Sequence, residues 1–180
     1  MSKTIKLCKG LDIKLQGAAE KKTTAVGLAS TYAVSPLDFE GIVPKMLVKV
    51  GDAVKAGTPL FFNKNNASVV FTSPVSGTVA AVVRGEKRRI LAVEIAADQT
   101  IAYEEFETLD VAKATRDQIV ELLLKSGLWT LLVQRPYGII ANPADMPKSI
   151  FVSAFDSAPL APDYGYTLAA DKQALQKGFE

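Results

Sequence analysis

Pro44–Phe62, PKMLVKVGDAVKAGTPLFF, and Phe71–Val79, FTSPVSGTV, decide the fold. In the first stretch Val48 and Val50 alternate with Lys49, and Gly51-Asp52 supplies a turn whose first residue takes positive φ at little steric cost. Val54 follows, and Gly57 and Pro59 mark a second bend before Leu60 and Phe62. Val69 to Phe71 form the next apolar run, broken by Ser73-Pro74-Val75-Ser76-Gly77. Beyond the break, Val75, Val79, Ala81 and Val83 share one face, and Ser76, Thr78 and Ala80 the other. Arg84-Gly85-Glu86-Lys87 turns the chain, after which Leu91, Val93 and Ile95 alternate with Ala92, Glu94 and Ala96. Short strands at this spacing predict a small β-sandwich or barrel over residues 31–100.

On the amino-terminal side, residues 1–30 form an arm that is basic and broken by glycine, with six lysines against Asp12 and Glu20. Neither GxGxxG nor GxxxxGK[ST] occurs, so the arm reads as solvated, with a short strand at Ile5–Leu7, rather than as a phosphate site. On the other side, residues 94–110 hold six acids and no Lys or Arg, which predicts a solvated acidic connector over 101–114. Residues 115–180 read as the beginning of a truncated α/β domain. Thr115 and Gln118 give a capping box, Ile119, Leu122 and Leu123 share one side, and Ser126-Gly127 ends the helix. Leu128–Val133 is apolar, and Arg135-Pro136-Tyr137-Gly138 breaks it. A loop with prolines spans 142–148, Ser149–Ser153 reads as a buried strand, a second proline loop runs from Asp156 to Tyr166, and Ala169–Phe179 reads as helix. One strand makes no sheet, so the sequence reads as part of a longer protein.

Composition narrows the chemistry. The 180 residues are 48% hydrophobic and 22% charged with net charge +2, enough to bury a core and too little charge to argue for nucleic acid. No apolar run approaches the about 18–20 residues a membrane span requires. The start, MSKTIKLCKG, lacks a charged-then-apolar signal pattern, which favours the cytoplasm. Histidine is absent, removing the commonest general base and metal ligand. Cys8 is the one cysteine, so this chain by itself holds no disulfide, zinc cluster or iron–sulfur cluster; Cys8 reads as a small core or semi-buried residue. No catalytic residue and no metal site is assigned.

The opening segments resemble the lipoyl and biotinyl carrier fold, a β-sandwich of the barrel-sandwich hybrid type. Its VGDxVxxG and APxxGxV turns, related by an internal two-fold, stand here as VGDAVKAG at 50–57 and SPVSGTV at 73–79. The resemblance implies a modified lysine in a hairpin about eight residues before the proline of the second turn. That position is Asn66, and Lys64 lies two residues away. An asparagine amide takes neither lipoyl nor biotinyl transfer, so the fold is expected without the carrier function.

Further segments keep their order along nearly the whole chain: GLDI at 10–13, PVSGTV at 74–79, RGEKRRI at 84–90, SGLW at 126–129, RP at 135–136 and SIFVSAFDSAPLAPD at 149–163. Together they resemble the A subunits of the sodium-translocating NADH:quinone oxidoreductases. More distant look-alikes, the C subunit of the Rnf electron-transport complex and the flavin-binding subunit of complex I, carry glycine-rich loops and cysteine clusters that this sequence lacks. The resemblance implies a peripheral subunit on the cytoplasmic side of the bacterial inner membrane, with other subunits of the complex as partners and no transmembrane segment of its own. It also implies association with the quinone end of electron transfer, the flavins and iron–sulfur centre lying in other subunits. A stand-alone lipoyl-like adaptor without a redox role is the alternative, and an NADH-binding domain a third and weaker one.

A quinone headgroup needs an apolar or aromatic wall and one or two donors for its carbonyl oxygens. Phe39, in the stretch Ser35–Pro44, and Arg135 with Tyr137, in the break after Leu128–Val133, offer both. The competing reading packs Tyr137 at a domain seam and pairs Arg135 with an acid. Because Asn66 replaces the carrier lysine and ligands are few, intact mass spectrometry of the purified chain is expected to return the bare polypeptide, with no lipoyl, biotinyl or flavin group. Added quinone is likewise expected to give no protein-dependent loss of NADH absorbance. A cofactor's extra mass, a visible flavin spectrum, or NADH oxidation that survives repurification would refute the expectation.

Overall fold

A computed structural model describes residues 6, 10, 13–17, 20–156 and 158–179. The strand expected at Ile5–Leu7 and the placement of Cys8 lie outside the described residues. The chain divides into two units, Gly27–Met146 and, separately, Met1–Val26 with Pro147–Glu180.

In the unit Gly27–Met146 the short apolar runs become strands, and the glycine turns bring them face to face. Strands β1 (Thr31–Val34), β3 (Ala53–Val54), β6 (Gly77–Arg84) and β7 (Ile90–Ala97) form one antiparallel sheet in the order β1-β7-β6-β3. Strands β2 (Pro44–Met46), β4 (Pro59–Asn63) and β5 (Asn66–Thr72) form a second, in the order β2-β4-β5. Val54, Val79, Ile90, Val93 and Ile95 from the first sheet meet Leu60, Phe61, Val69 and Phe71 from the second in one core. Each of these side chains removes on the order of 2 kcal/mol worth of apolar surface from water.

Two bulges move side chains away from the faces that strict alternation assigns. Val79 pairs with Ile95 and Ala81 with Glu94, so Ala80 is an extra residue and the phase of β6 slips by one. Val82, opposite Val93, therefore packs on the core in place of Ala81 and Val83. In β4 the register slips between Pro59 and Phe61, and Leu60 and Phe61 are both fully buried. Phe62, next along the strand, lies beneath the Lys45 ammonium, 5.6 Å from its ring centre. Ser76 also departs from its expected partnership with exposed Thr78. It is buried, and its hydroxyl accepts from the Ala102 N–H at 2.9 Å.

That bond begins the docking of the acidic segment. Ala56 and Tyr103 form a parallel bridge, and the Glu104 carboxylate accepts from the Thr58 hydroxyl at 2.7 Å. Glu105, Glu107 and Asp110 are exposed. Thr115 and Gln118 form the expected capping box at the start of α1 (Arg116–Lys125), and Gly127, at φ +78°, ends it. The stripe that packs on the core is Val120, Leu123 and Leu124, one residue round the helix from the expected Ile119–Leu122–Leu123 side. Leu128–Leu131 makes a single 3-10 turn that buries Trp129, whose indole N–H donates to the Ala141 carbonyl at 2.7 Å. That bond anchors the hairpin of β8 (Val133–Gln134) and β9 (Ile139–Ile140).

In the other unit the helices are α2 (Tyr164–Thr167), in a stretch that the sequence assigns to a loop, and α3 (Lys172–Phe179), the later part of the expected helix. Ser149–Ser153 is not a buried strand. It pairs with nothing, and Phe151 is 92% exposed, because this unit offers no neighbouring strand among its described residues. Lys21 and Asp163 stand 2.7 Å apart. The Asp163 carboxyl is held below its ordinary range by the Lys21 hydrogen bond first and the Tyr166 N–H second, and the same bond raises Lys21. Both groups are exposed, so the pair adds little to stability.

Gly77 leaves no room for a side chain. It sits at φ +156°, and a Cβ there would stand 2.0 Å from the Ala96 carbonyl oxygen. No rotation relieves a clash between two backbone segments. Gly77→Ala is therefore expected to cost more than about 3 kcal/mol in urea denaturation. Gly51→Ala, at φ +95° with open space around it, is expected to cost about 1 kcal/mol. Equal losses in the two variants would show that the Ala96 contact is not the limiting one.

Candidate functional site

Three features bear on a site: the hairpin that carries lysine in carrier domains, the stretch Ser35–Pro44, and the turn between β8 and β9. Asn66 opens β5 opposite Asn63, across a two-residue turn of Lys64 and Asn65. Its Oδ1 accepts from the Ser68 hydroxyl at 2.7 Å and from the Ser68 N–H at 3.3 Å. The tip is tied to the residue that leads into β2. The Lys64 N–H donates to the Val43 carbonyl at 2.7 Å, and the Val43 N–H donates to Asn63 Oδ1 at 3.2 Å.

Phe39 follows a single 3-10 turn, Pro36–Asp38, capped by Ser35. Its ring meets Phe71 edge-on at 4.6 Å, and Phe71 stacks on Phe61 at 4.7 Å. The aromatic wall expected from Phe39 is thus spent largely on the margin of the core. Arg135 and Tyr137 lie in the four-residue turn Arg135–Gly138, closed by the Gly138 N–H to the Gln134 carbonyl at 3.0 Å, with a cis Arg135–Pro136 bond. Arg135 is exposed and forms no ion pair among the described residues, so the pairing with an acid that the competing reading offered is not made there. Tyr137 is 77% exposed.

The two stretches approach each other through their apolar residues. A Cβ on Gly41 would stand 3.6 Å from Ile139 Cγ2, and Phe39, Ile42 and Ile140 all pack on the same core. Leu131 and Val133, exposed beside the turn, extend its apolar surface. The result is a surface ledge of aliphatic groups, a phenol and a guanidinium, without an enclosing wall. An open groove of about 560 Å³ lies elsewhere, between α1 and residues 143–144, lined by Val120, Leu124, Arg116 and Pro143; none of Phe39, Arg135 and Tyr137 reaches it. Sequence reasoning missed Trp129, which positions the turn. Its signal was a lone Trp directly after the helix-ending glycine and one leucine.

The β-unit is a barrel-sandwich hybrid of two facing sheets. Residues 5–98 match the family model described as the NqrA N-terminal barrel-sandwich hybrid domain, and residues 114–180 match the NqrA second alpha/beta domain. The chain is 38% identical over 176 residues to the A subunit of the Na(+)-translocating NADH-quinone reductase of Pseudomonas aeruginosa, covering 97% of this chain and 40% of that protein. It is 42% identical over 160 residues to the same subunit of Tolumonas auensis, covering 87% and 36%. For Cellvibrio japonicus the identity is 36% over 176 residues, covering 97% and 39%. The chain belongs to this family of NADH-quinone reductase A subunits, and it spans about two fifths of the length of these relatives.

The placements of Phe39 and Tyr137 separate packing from ligand contact. Phe39→Ala is expected to cost about 2 kcal/mol of stability through lost contact with Phe71. Tyr137→Ala is expected to change stability by less than about 0.5 kcal/mol. Chemical denaturation of both variants checks this, and a large loss for Tyr137→Ala would show that its ring is a packing residue.

Proposed function

We propose that this chain is part of a bacterial sodium-pumping NADH:quinone oxidoreductase, where it shapes the quinone site and docks on other subunits rather than carrying a redox centre. It works as a peripheral piece on the cytoplasmic side of the inner membrane; none of its described helices is long and apolar enough to cross a membrane. The relatives are named as NADH-quinone reductase subunits, which supplies the class of ligand. The observation that carries the reading is the turn Arg135–Gly138. It presents an exposed guanidinium, without an ion pair among the described residues, and an exposed phenol on an apolar ledge held to the core through Trp129.

In chemical terms the Arg135 guanidinium donates to a quinone carbonyl oxygen, while the Tyr137 ring stacks on the headgroup and its hydroxyl donates as well. The ledge is open on one side, so the remaining wall comes from another protein of the complex. The chain itself supplies few ligands for a redox centre, having one cysteine and no histidine. A stand-alone adaptor of the lipoyl-like type is the second reading, favoured by the tied-back hairpin at Asn66. Co-purification with membrane subunits separates the two.

Photo-crosslinking of the intact complex with a quinone analogue, followed by peptide mapping, is expected to label residues near 131–140. The double variant Arg135→Ala/Tyr137→Ala is expected to weaken quinone affinity by about tenfold or more, in line with one or two lost hydrogen bonds. Labelling confined to other subunits, together with unchanged affinity in the double variant, removes the quinone role.

A further inference from the structure

The hairpin from β6 to β7 ends in Arg84-Gly85-Glu86-Lys87-Arg88-Arg89, and its backbone is strained. Lys87 (φ 53°, ψ 30°) and Arg88 (φ 60°) are successive left-handed residues, and among the described residues they are the non-glycines in that region. The Arg89 N–H donates to the Glu86 carbonyl at 3.1 Å, closing a four-residue turn around them. A hairpin corner of this shape favours Asn-Gly, since a Cβ crowds the following carbonyl. Such strain persists where its surroundings fix it. Here Leu91, the extra residue of a bulge in β7, covers Gly85, whose Cβ would stand 3.1 Å from the leucine side chain. The Arg84 guanidinium also donates to the Arg88 carbonyl at 3.2 Å.

The tip concentrates charge. Arg84, Lys87, Arg88 and Arg89 against Glu86 give it a net +3 in a chain of net +2, so the remainder of the chain is net −1. All four cations are exposed, and none pairs with an acid among the described residues. A sequence such as Asn-Gly would relax this corner and lose two of the four charges. The protein keeps the strained corner and the charges together, at a hairpin end with no apolar residue on it.

We propose that this tip binds the anionic phospholipid headgroups of a membrane surface, which rests on the proposed role of the chain beside a membrane. Clustered Lys and Arg near such a surface attract anionic lipid additively, without a fixed donor geometry. The tip has that form: four exposed cations on one turn. The grooves lined by Arg116 and Leu124, and by Lys172 and Lys177, lie elsewhere. An acidic protein surface is the competing partner, and it demands a matched set of carboxylates.

Co-sedimentation of the 180-residue chain with vesicles of equimolar phosphatidylglycerol and phosphatidylcholine, against pure phosphatidylcholine, tests the proposal. Binding is expected to the anionic vesicles alone, weakening as salt rises. The variant Lys87→Asn/Arg88→Gly eases the turn while removing two cations, so it folds at least as well as the parent. Its affinity is expected to fall about twenty-five-fold, at roughly fivefold per cation. The exchange Lys87→Arg/Arg88→Lys, which keeps the charge, is expected to bind like the parent. Unchanged vesicle affinity in the Asn-Gly variant, or equal binding to neutral vesicles, overturns the proposal. A parent that ignores anionic vesicles, while its Asn-Gly variant fails to join the other subunits, assigns the tip to an acidic protein surface and overturns it as well. Vesicle binding is read on the chain alone and quinone labelling on the assembled complex, so either result can fail without the other.

Discussion

Backbone hydrogen bonds from two glycine turns to Ser73 and Val79 hold the β-unit together. The Gly51 N–H donates to the Val79 carbonyl at 2.8 Å, and the Val79 N–H returns a bond to Asp52 at 2.9 Å. Further along, the Gly57 N–H donates to Ser73 at 2.8 Å, and the Ser73 N–H donates to Thr58 at 2.9 Å. These bonds lie where the chain passes from one sheet to the other, so the two sheets close on each other as a sandwich. Backbone groups buried at such a crossing need partners, and the reciprocal pairs satisfy them. Gly77 then lets β6 run directly beneath the Ala96 carbonyl. Ser76 reaches the chain beyond β7 through Ala102, and Ala56 bridges to Tyr103, so the acidic segment starts by being fastened to the same crossing. That explains why the acid-rich stretch does not simply float: Glu104 has a hydroxyl partner in Thr58, while its exposed neighbours face water.

Turns were legible in the sequence because glycine and proline constrain φ and ψ locally. VGDAVKAG, SPVSGTV, the Thr115–Gln118 capping box and the Gly127 cap all stand where residue chemistry placed them. Register within the strands was not legible. A bulge is a one-residue slip fixed by pairing with another strand, and alternation within a single strand carries no sign of it. Hence Val82 displaced Ala81 and Val83 at the core, and Leu60 and Phe61 are buried in succession. Ser149–Ser153 failed for the converse reason. Its β-branched and aromatic residues have the composition of a strand, but pairing depends on a neighbour that composition does not provide.

The candidate site shows the same division. Pro136 and Gly138 marked a turn, and a turn it is, with Tyr137 exposed on it. Phe39 looked equally suited to a ligand wall, since aromatic character is visible in sequence and orientation is not. Its ring went to Phe71. Trp129 was the reverse case. Its role depends on the Ala141 carbonyl twelve residues away, which becomes a partner only once the hairpin has folded back.

The Trp129–Ala141 bond also bears on how a turn so exposed can be specific. A two-stranded hairpin with two residues per strand has little stability by itself. Here its base is fixed from three directions. Trp129 holds Ala141, the Ala141 N–H donates to the Leu132 carbonyl at 2.8 Å, and Gly127 lies so near Thr72 that a Cβ would stand 2.7 Å from its methyl group. The turn is therefore short and its backbone is mounted on the core, while the Arg135 and Tyr137 side chains stay exposed. The hairpin at Asn66 is fastened as well, by Asn63, Val43 and Ser68.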